Sequence, residues 1–108
     1  MKHSDAIAKV RLAITELGGI SVPYTVGMFR TMDGERVVKV GIDGVSDVLA
    51  CISGRFVGVE VKVGRDQHRD NQKSFKAAVE RAGGVHVLAR FTDKEDGVKT
   101  LNEAIACL

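Results

Sequence analysis

Cysteine is scarce: the 108 residues hold two, Cys51 and Cys107, with no CxxC spacing and no histidine beside them in a zinc-ligand pattern. A disulfide framework and a structural zinc are thereby excluded, and both thiols read as reduced packing residues. No run of about 18 apolar residues exists to cross a membrane. Behind Met1-Lys2-His3-Ser4-Asp5 there is no apolar signal core, so the expectation is a cytoplasmic protein without a membrane partner. Charge of one sign is also lacking: 16 Lys+Arg stand against 14 Asp+Glu, a formal +2 that is too small to prove a nucleic-acid partner. Internal repeats, low-complexity stretches, linkers, phosphate loops and cofactor fingerprints are missing too, which leaves a small-molecule-binding α/β domain without support. What remains is one compact domain over residues 1–108, long enough to bury a core without a metal or disulfide staple.

Hydrophobic spacing orders the chain. Over residues 4–17, Ile7, Val10, Ile14 and Leu17 recur at steps of three and four, one face of an amphipathic helix that Ser4 or Asp5 can cap and Gly18-Gly19 ends. Residues 20–31 read as extended and, across a turn at 32–35, pair as a hairpin with residues 36–40. After a polar glycine elbow, residues 48–52 are continuously apolar and read as a buried strand, followed by a tight Ser53-Gly54 turn. Residues 55–63 alternate imperfectly as the next strand, with Glu60 and Lys62 among valines. A helix over 67–82, a strand over 85–90 and a helix over 93–108 complete the chain, with Gly97 weakening the first turn of the last helix. The expected architecture is α/β: a central mixed β-sheet flanked by helices.

Two charges in an otherwise apolar strand require a reason. Alternation turns Glu60 and Lys62 to one face, and the short turn at 53–54 lets Asp47 return to the same region. Two neighbouring carboxylates repel unless a cation or a proton intervenes, and hard oxygen donors with room for water suit Mg²⁺ or Mn²⁺. Such a site can polarise a phosphate and stabilise in-line displacement, with Lys62 orienting the attacking water or neutralising the transition state. The competing reading is a solvent-facing Glu60–Lys62 surface pair worth less than about 1 kcal/mol. Gln72 lies one turn before Phe75 on the inward face of its helix, where its amide can reach the same place; otherwise it is an ordinary first-turn polar residue. Asp43 is an alternative to Asp47 that reads better as a turn residue. His68 reads as a solvated helix-start histidine able to touch phosphate, and His86, between valines, as structural.

The ordered set Gly44-Val45-Ser46-Asp47, Gly54-Arg55-Phe56, Glu60-Val61-Lys62, Gln72 and Gly83-Gly84 resembles the VRR-NUC family of the PD-(D/E)XK nuclease superfamily, particularly its small stand-alone phage and bacterial members. The resemblance spans residues 4–90 and implies a restriction-endonuclease-like core in the order α-β-β-β-α-β-α. It implies Asp47, Glu60 and the backbone carbonyl of Val61 as ligands of Mg²⁺ or Mn²⁺, and Asp47, Glu60, Lys62 and Gln72 as the catalytic set. The family also tends to carry an acid in its first helix; Asp5 and Glu16 are the candidates, Asp5 preferred, with a helix-cap role the alternative. Ser46 stands where proline often precedes the aspartate, and Leu88-Ala89-Arg90 keeps only the final arginine of the strand that names the family.

Between residues 55 and 90 eight basic residues face four acids, a local excess of +4 around the expected site. Arg65, Arg69 and Lys73 flank the motif and are the first candidates for DNA backbone contacts. No base-reading element is visible, so recognition would rest on the DNA backbone and its shape. The resemblance implies a metal-dependent DNA endonuclease, a homodimer acting on branched DNA such as a Holliday junction or flap in a bacterial or phage-infected cytoplasm. The reading from a different class is a non-catalytic nucleic-acid-binding or assembly module that keeps the nuclease fold.

Overall fold

A computed structural model describes residues 1–22, 24, 27–42, 44–67 and 69–108, with Val40 described by its backbone. Asp43 and His68 lie outside the described residues. The elements run α1 (His3–Glu16), β1 (Ile20–Val22), β2 (Gly27–Arg30), β3 (Val37–Val40), β4 (Val48–Ile52), β5 (Arg55–Val63), α2 (Asp70–Arg81), β6 (Val85–Phe91) and α3 (Gly97–Ala106). No helix is long and apolar enough to cross a membrane, as judged over the described residues.

The fold is a small α/β arrangement in which helices flank a mixed sheet ordered β1-β4-β5-β6. β1, β4 and β5 pair antiparallel, and β6 joins β5 in parallel through the α2 crossover. β5 therefore has neighbours on both sides and is the longest strand, nine residues. One face of the sheet carries the apolar core. Val57, Val59 and Val61 of β5, Val48, Ala50 and Ile52 of β4, and Val87 and Ala89 of β6 pack there with Ala6, Val10 and Ile14 of α1 and Leu101 of α3. Each fully covered valine or isoleucine on that face contributes roughly 1.5–3 kcal/mol relative to exposure. α2 packs on β5 and β6.

Three expectations from the sequence need correction. Among the described residues five strands, not three, precede α2, so the order α-β-β-β-α-β-α describes only the elements of the main sheet and its helices. Residues 20–31 do not form one hairpin arm. Ile20–Val22 instead leaves the Gly18-Gly19 end of α1 and lies along β4, Ile20 opposite Cys51 and Val22 opposite Leu49. Pairing there adds a fourth strand to a helix-covered sheet, which is worth more than extending an isolated two-stranded ribbon. β2 and β3 form that ribbon by themselves, Phe29 opposite Val38, with both side chains largely exposed. The Cα radius of gyration, 14.9 Å, exceeds the roughly 13 Å of a compact chain of this length.

The third correction concerns β4. Its uninterrupted apolar run reads as buried on both faces, yet Val48, Ala50 and Ile52 are buried while Cys51 is exposed. The period-two alternation turns Cys51 away from α1, beside Ile20 and the 48%-exposed Phe56, over a part of the sheet that is left bare. Cys107, also exposed, caps the end of α3 and is likewise no packing residue.

The difference between core and arm is measurable. Ile52→Ala should cost about 2–5 kcal/mol in urea denaturation, as for a fully enclosed side chain, whereas Val38→Ala should cost under about 1 kcal/mol.

Candidate functional site

The antiparallel register sets Val48 against Val59, so the next position outward sets Asp47 against Glu60. Residues directly opposite in such a pair share a face, and Glu60 and Lys62, two apart on β5, share it as well. The Asp47 carboxylate is fixed by the strand it faces: its Oδ2 accepts the Val61 N–H at 2.8 Å. That bond replaces the ladder partner that a longer β4 would supply, which holds the aspartate at the strand end.

Glu60 is 0% exposed and Lys62 6% exposed, which excludes the solvent-facing surface pair. Lys62 Nζ donates to Gln72 Oε1 at 3.0 Å and stands 3.9 Å from Glu60 Oε2, too far for a hydrogen bond. Gln72 Oε1 also accepts the Arg69 N–H at 2.9 Å, so the same amide oxygen completes the first turn of α2 and anchors the ammonium. Both Glu60 carboxylate oxygens are buried without a hydrogen-bond partner. Its pKa is pushed up from the ordinary 4.5 to about 7, first by burial and then by the Asp47 charge; Lys62, the Asp47 amide outside hydrogen-bonding geometry, and His3 offset this only in part. A buried carboxylate left in this state is costly, and such groups concentrate at functional sites.

The sequence reading missed two members. His3, the first residue of α1, places Nε2 2.9 Å from the Val61 carbonyl oxygen and 3.7 Å from Asp47 Oδ2. The signal was there, since the stripe Ile7, Val10, Ile14 and Leu17 extends back by four to position 3. Asp5 lies about 200° around the helix from Ile7 at 100° per residue. It is accordingly exposed and absent from the charges acting on Glu60, so the preferred first-helix acid is not at the site. Asp5 is not the cap either, because Lys2 holds that position. Glu16 lies about 20 Å along the helix from His3 at 1.5 Å per residue, at the opposite end.

Tyr24 is the second. Its phenol is raised to about 12, first by burial and then by the Asp47 and Glu60 charges, which places it in the field of the same pair. Nothing in the spacing around a lone tyrosine marks it.

A cleft of about 300 Å³ opens over Asp47, lined by Tyr24, Ile42, Gly44, Val45, Arg69, Asn71 and Gln72. A larger cavity, about 610 Å³, lies between Lys9, Gly64, Arg65 and the turn after β6, and Asp47, Glu60, Lys62 and Gln72 do not line it. Size does not mark the candidate site here; the buried charges do. Arg65, Arg69 and Lys73 are all exposed, and Lys73 stands 3.9 Å from Asp70 one turn back. Arg90 donates to the Gly64 carbonyl at 2.7 Å and so ties the turn after β5 to β6.

Two glycines close the site. A Cβ at Gly58 would stand 2.7 Å from Oγ of the buried Ser46, so Ser46 packs directly over β5 beside the carboxylates. Gly44 has φ +77° and presses on the first turn of α2, where a Cβ would strike the Asn71 carbonyl and stand 2.9 Å from the Gln72 nitrogen. The polar elbow thus sets the height of Gln72 above Lys62.

Among the described residues, no three His, Cys, Asp or Glu side chains already surround one point. The donors available for a cation are instead the Asp47 and Glu60 carboxylates and the Val61 carbonyl, a hard oxygen set. The unpartnered oxygens of Glu60 are the sign that this set fits a divalent ion. No family model matches the chain, and no curated protein sequence matches it.

Because the native pKa of Glu60 lies above its unfolded value, the folded state holds the extra proton between about pH 4.5 and 7. Stability in chelator should therefore fall as pH rises through that window, by on the order of 3 kcal/mol in total. Glu60→Gln should flatten this fall in denaturation midpoints taken from pH 4 to 8, and an unchanged slope would show that the carboxylate is not held in this way. Gly44→Ala should cost at least about 1–3 kcal/mol and loosen the Lys62–Gln72 contact, seen as a shifted Gln72 side-chain amide resonance.

Proposed function

We propose that the chain is a divalent-metal-dependent DNA endonuclease of the VRR-NUC type. The observation that carries this reading is the fully buried Glu60, opposite Asp47 and without a hydrogen bond, beside a lysine that another residue holds in place. A non-catalytic nucleic-acid-binding module has no use for a cluster that lowers stability at neutral pH.

Asp47, Glu60 and the Val61 carbonyl would hold Mg²⁺ or Mn²⁺. When bound, the cation supplies positive charge to a phosphate oxygen and lowers the pKa of a water. Lys62 brings a buried cation to the site. With Nζ anchored by Gln72, it keeps donors free to orient a water or to meet the negative charge that builds on the phosphorus oxygens. Gln72 works through Lys62 and is a positioning residue. Because Lys62 donates to an amide and not to Glu60, the carboxylate stays free for the cation.

Arg65, Arg69 and Lys73, all exposed, supply the phosphate contacts that bring a DNA strand to the cleft. A domain of this size covers little duplex, so two copies acting together on a branched substrate, in a bacterial or phage-infected cytoplasm, complete the reading.

Asp47→Ala and Glu60→Ala should each lower cleavage more than about 10³-fold on a panel of linear, flap and four-way DNAs with Mg²⁺ or Mn²⁺, while DNA binding persists. Lys62→Ala should lower the rate about 10²–10³-fold with little change in cation affinity. Cleavage retained in both acidic variants, or no product from the parent protein on any substrate with Mn²⁺, overturns the assignment; the second result favours the binding module.

A further inference from the structure

The first helix brings a nitrogen donor, not an acid, to the candidate metal site. We propose that His3 Nε2 is a ligand of the bound cation, and that it makes the site select first-row transition ions such as Mn²⁺ over Mg²⁺. This rests on the metal-dependent reading of Asp47, Glu60 and Val61 given above.

His3 stands between two of the oxygen donors of that site, 2.9 Å from the Val61 carbonyl oxygen and 3.7 Å from Asp47 Oδ2. Adjacent donors around a divalent ion with bonds of about 2.0–2.2 Å are separated by about 2.8–3.1 Å in octahedral geometry. The contact to Val61 already has this spacing, and that to Asp47 exceeds it by less than about 1 Å, within reach of a carboxylate rotation. The buried, unpartnered Glu60 oxygens supply an independent sign that a cation is wanted at this place.

In the metal-free chain Nε2 hydrogen-bonds the Val61 carbonyl; as a ligand the neutral ring carries its proton on Nδ1 and turns the Nε2 lone pair to the ion. Mg²⁺ dehydrates reluctantly and prefers oxygen, whereas imidazole nitrogen suits transition ions. A single imidazole among oxygen donors therefore biases the site without closing it to Mg²⁺. His3 is attached through one turn of a helix whose Ala6, Val10 and Ile14 are fully buried, so the ring is presented from a fixed base.

The test is calorimetric titration of Mn²⁺ and of Mg²⁺ into the full chain, paired with spin-echo modulation of bound Mn²⁺ by a directly coordinated ¹⁴N. His3 is 47% exposed at the start of its helix, so His3→Ala keeps the fold. The expected result is a loss of at least about tenfold in Mn²⁺ affinity with a much smaller change for Mg²⁺, and disappearance of the ¹⁴N modulation. His3→Asp should bind both ions but with the Mn²⁺ preference reduced. An unchanged Mn²⁺/Mg²⁺ ratio in His3→Ala, an equal rise in both affinities as from removal of a plug, or no ¹⁴N modulation in the parent protein overturns the inference while leaving the metal site standing. Failure of the parent chain to bind either ion, or binding undiminished in Asp47→Ala, overturns the site itself and the inference with it.

Discussion

A carboxylate enclosed in the central strand without a hydrogen bond is the constraint around which the rest of this molecule is arranged. Glu60 is fully buried on β5 just past the end of β4, and the ammonium of Lys62 beside it is held by an amide oxygen 3.0 Å away. Moving Lys62 closer would neutralise the site and stabilise the fold. The chain does not take that option. The ammonium is held apart by Gln72, and Gln72 is held by the first turn of α2, which in turn rests against Gly44. This chain of contacts keeps a negative group unsatisfied and in place.

Register transmits the constraint to the backbone. Asp47 meets Glu60 only because Val48 pairs with Val59, and a slip by one residue would turn Glu60 and Lys62 into the apolar layer beneath α1 and α3. The bond from the Val61 N–H to Asp47 and the close approach of Ser46 to Gly58 both oppose such a slip, from either side of the site. They are contacts of the candidate chemistry and of the fold at once.

What the sequence made legible follows from which interactions are local. Period-two alternation in β5 and the turn at Ser53-Gly54 put Glu60, Lys62 and Asp47 on one face, and helical spacing put Gln72 within reach; the structure brings all four together. The division of residues 20–40 between two sheets was not legible, because a short Ile-Ser-Val segment is equally extended in either partnership and only the bare edge of β4 decides between them. Cys51 failed for a related reason: a continuous apolar run does not say whether both faces are covered. His3 is legible in the spacing of α1, whose apolar stripe extends back to it by four, while the same helical period turns Asp5 away. Tyr24 enters through long-range packing and carries no local signature.

The two faces of β5 then explain how the strand tolerates its burden. A pKa displaced from 4.5 to about 7 corresponds to a penalty on the order of 3 kcal/mol at neutral pH, a sizeable share of the roughly 5–15 kcal/mol by which domains are stable. The opposite face of the same residues carries Val57, Val59 and Val61, each at most 1% exposed, so the favourable burial is concentrated on the strand that bears the cost. Distributing those valines to other strands would leave β5 free to fray exactly where Glu60 and Lys62 need a fixed separation. Strand alternation makes the arrangement possible, because it lets one backbone turn its valines to the core and Glu60 and Lys62 toward Asp47 and Gln72. A cation at Asp47 and Glu60 would offset the penalty through its own contacts with the two carboxylates, and by linkage would stabilise the folded state without disturbing either face.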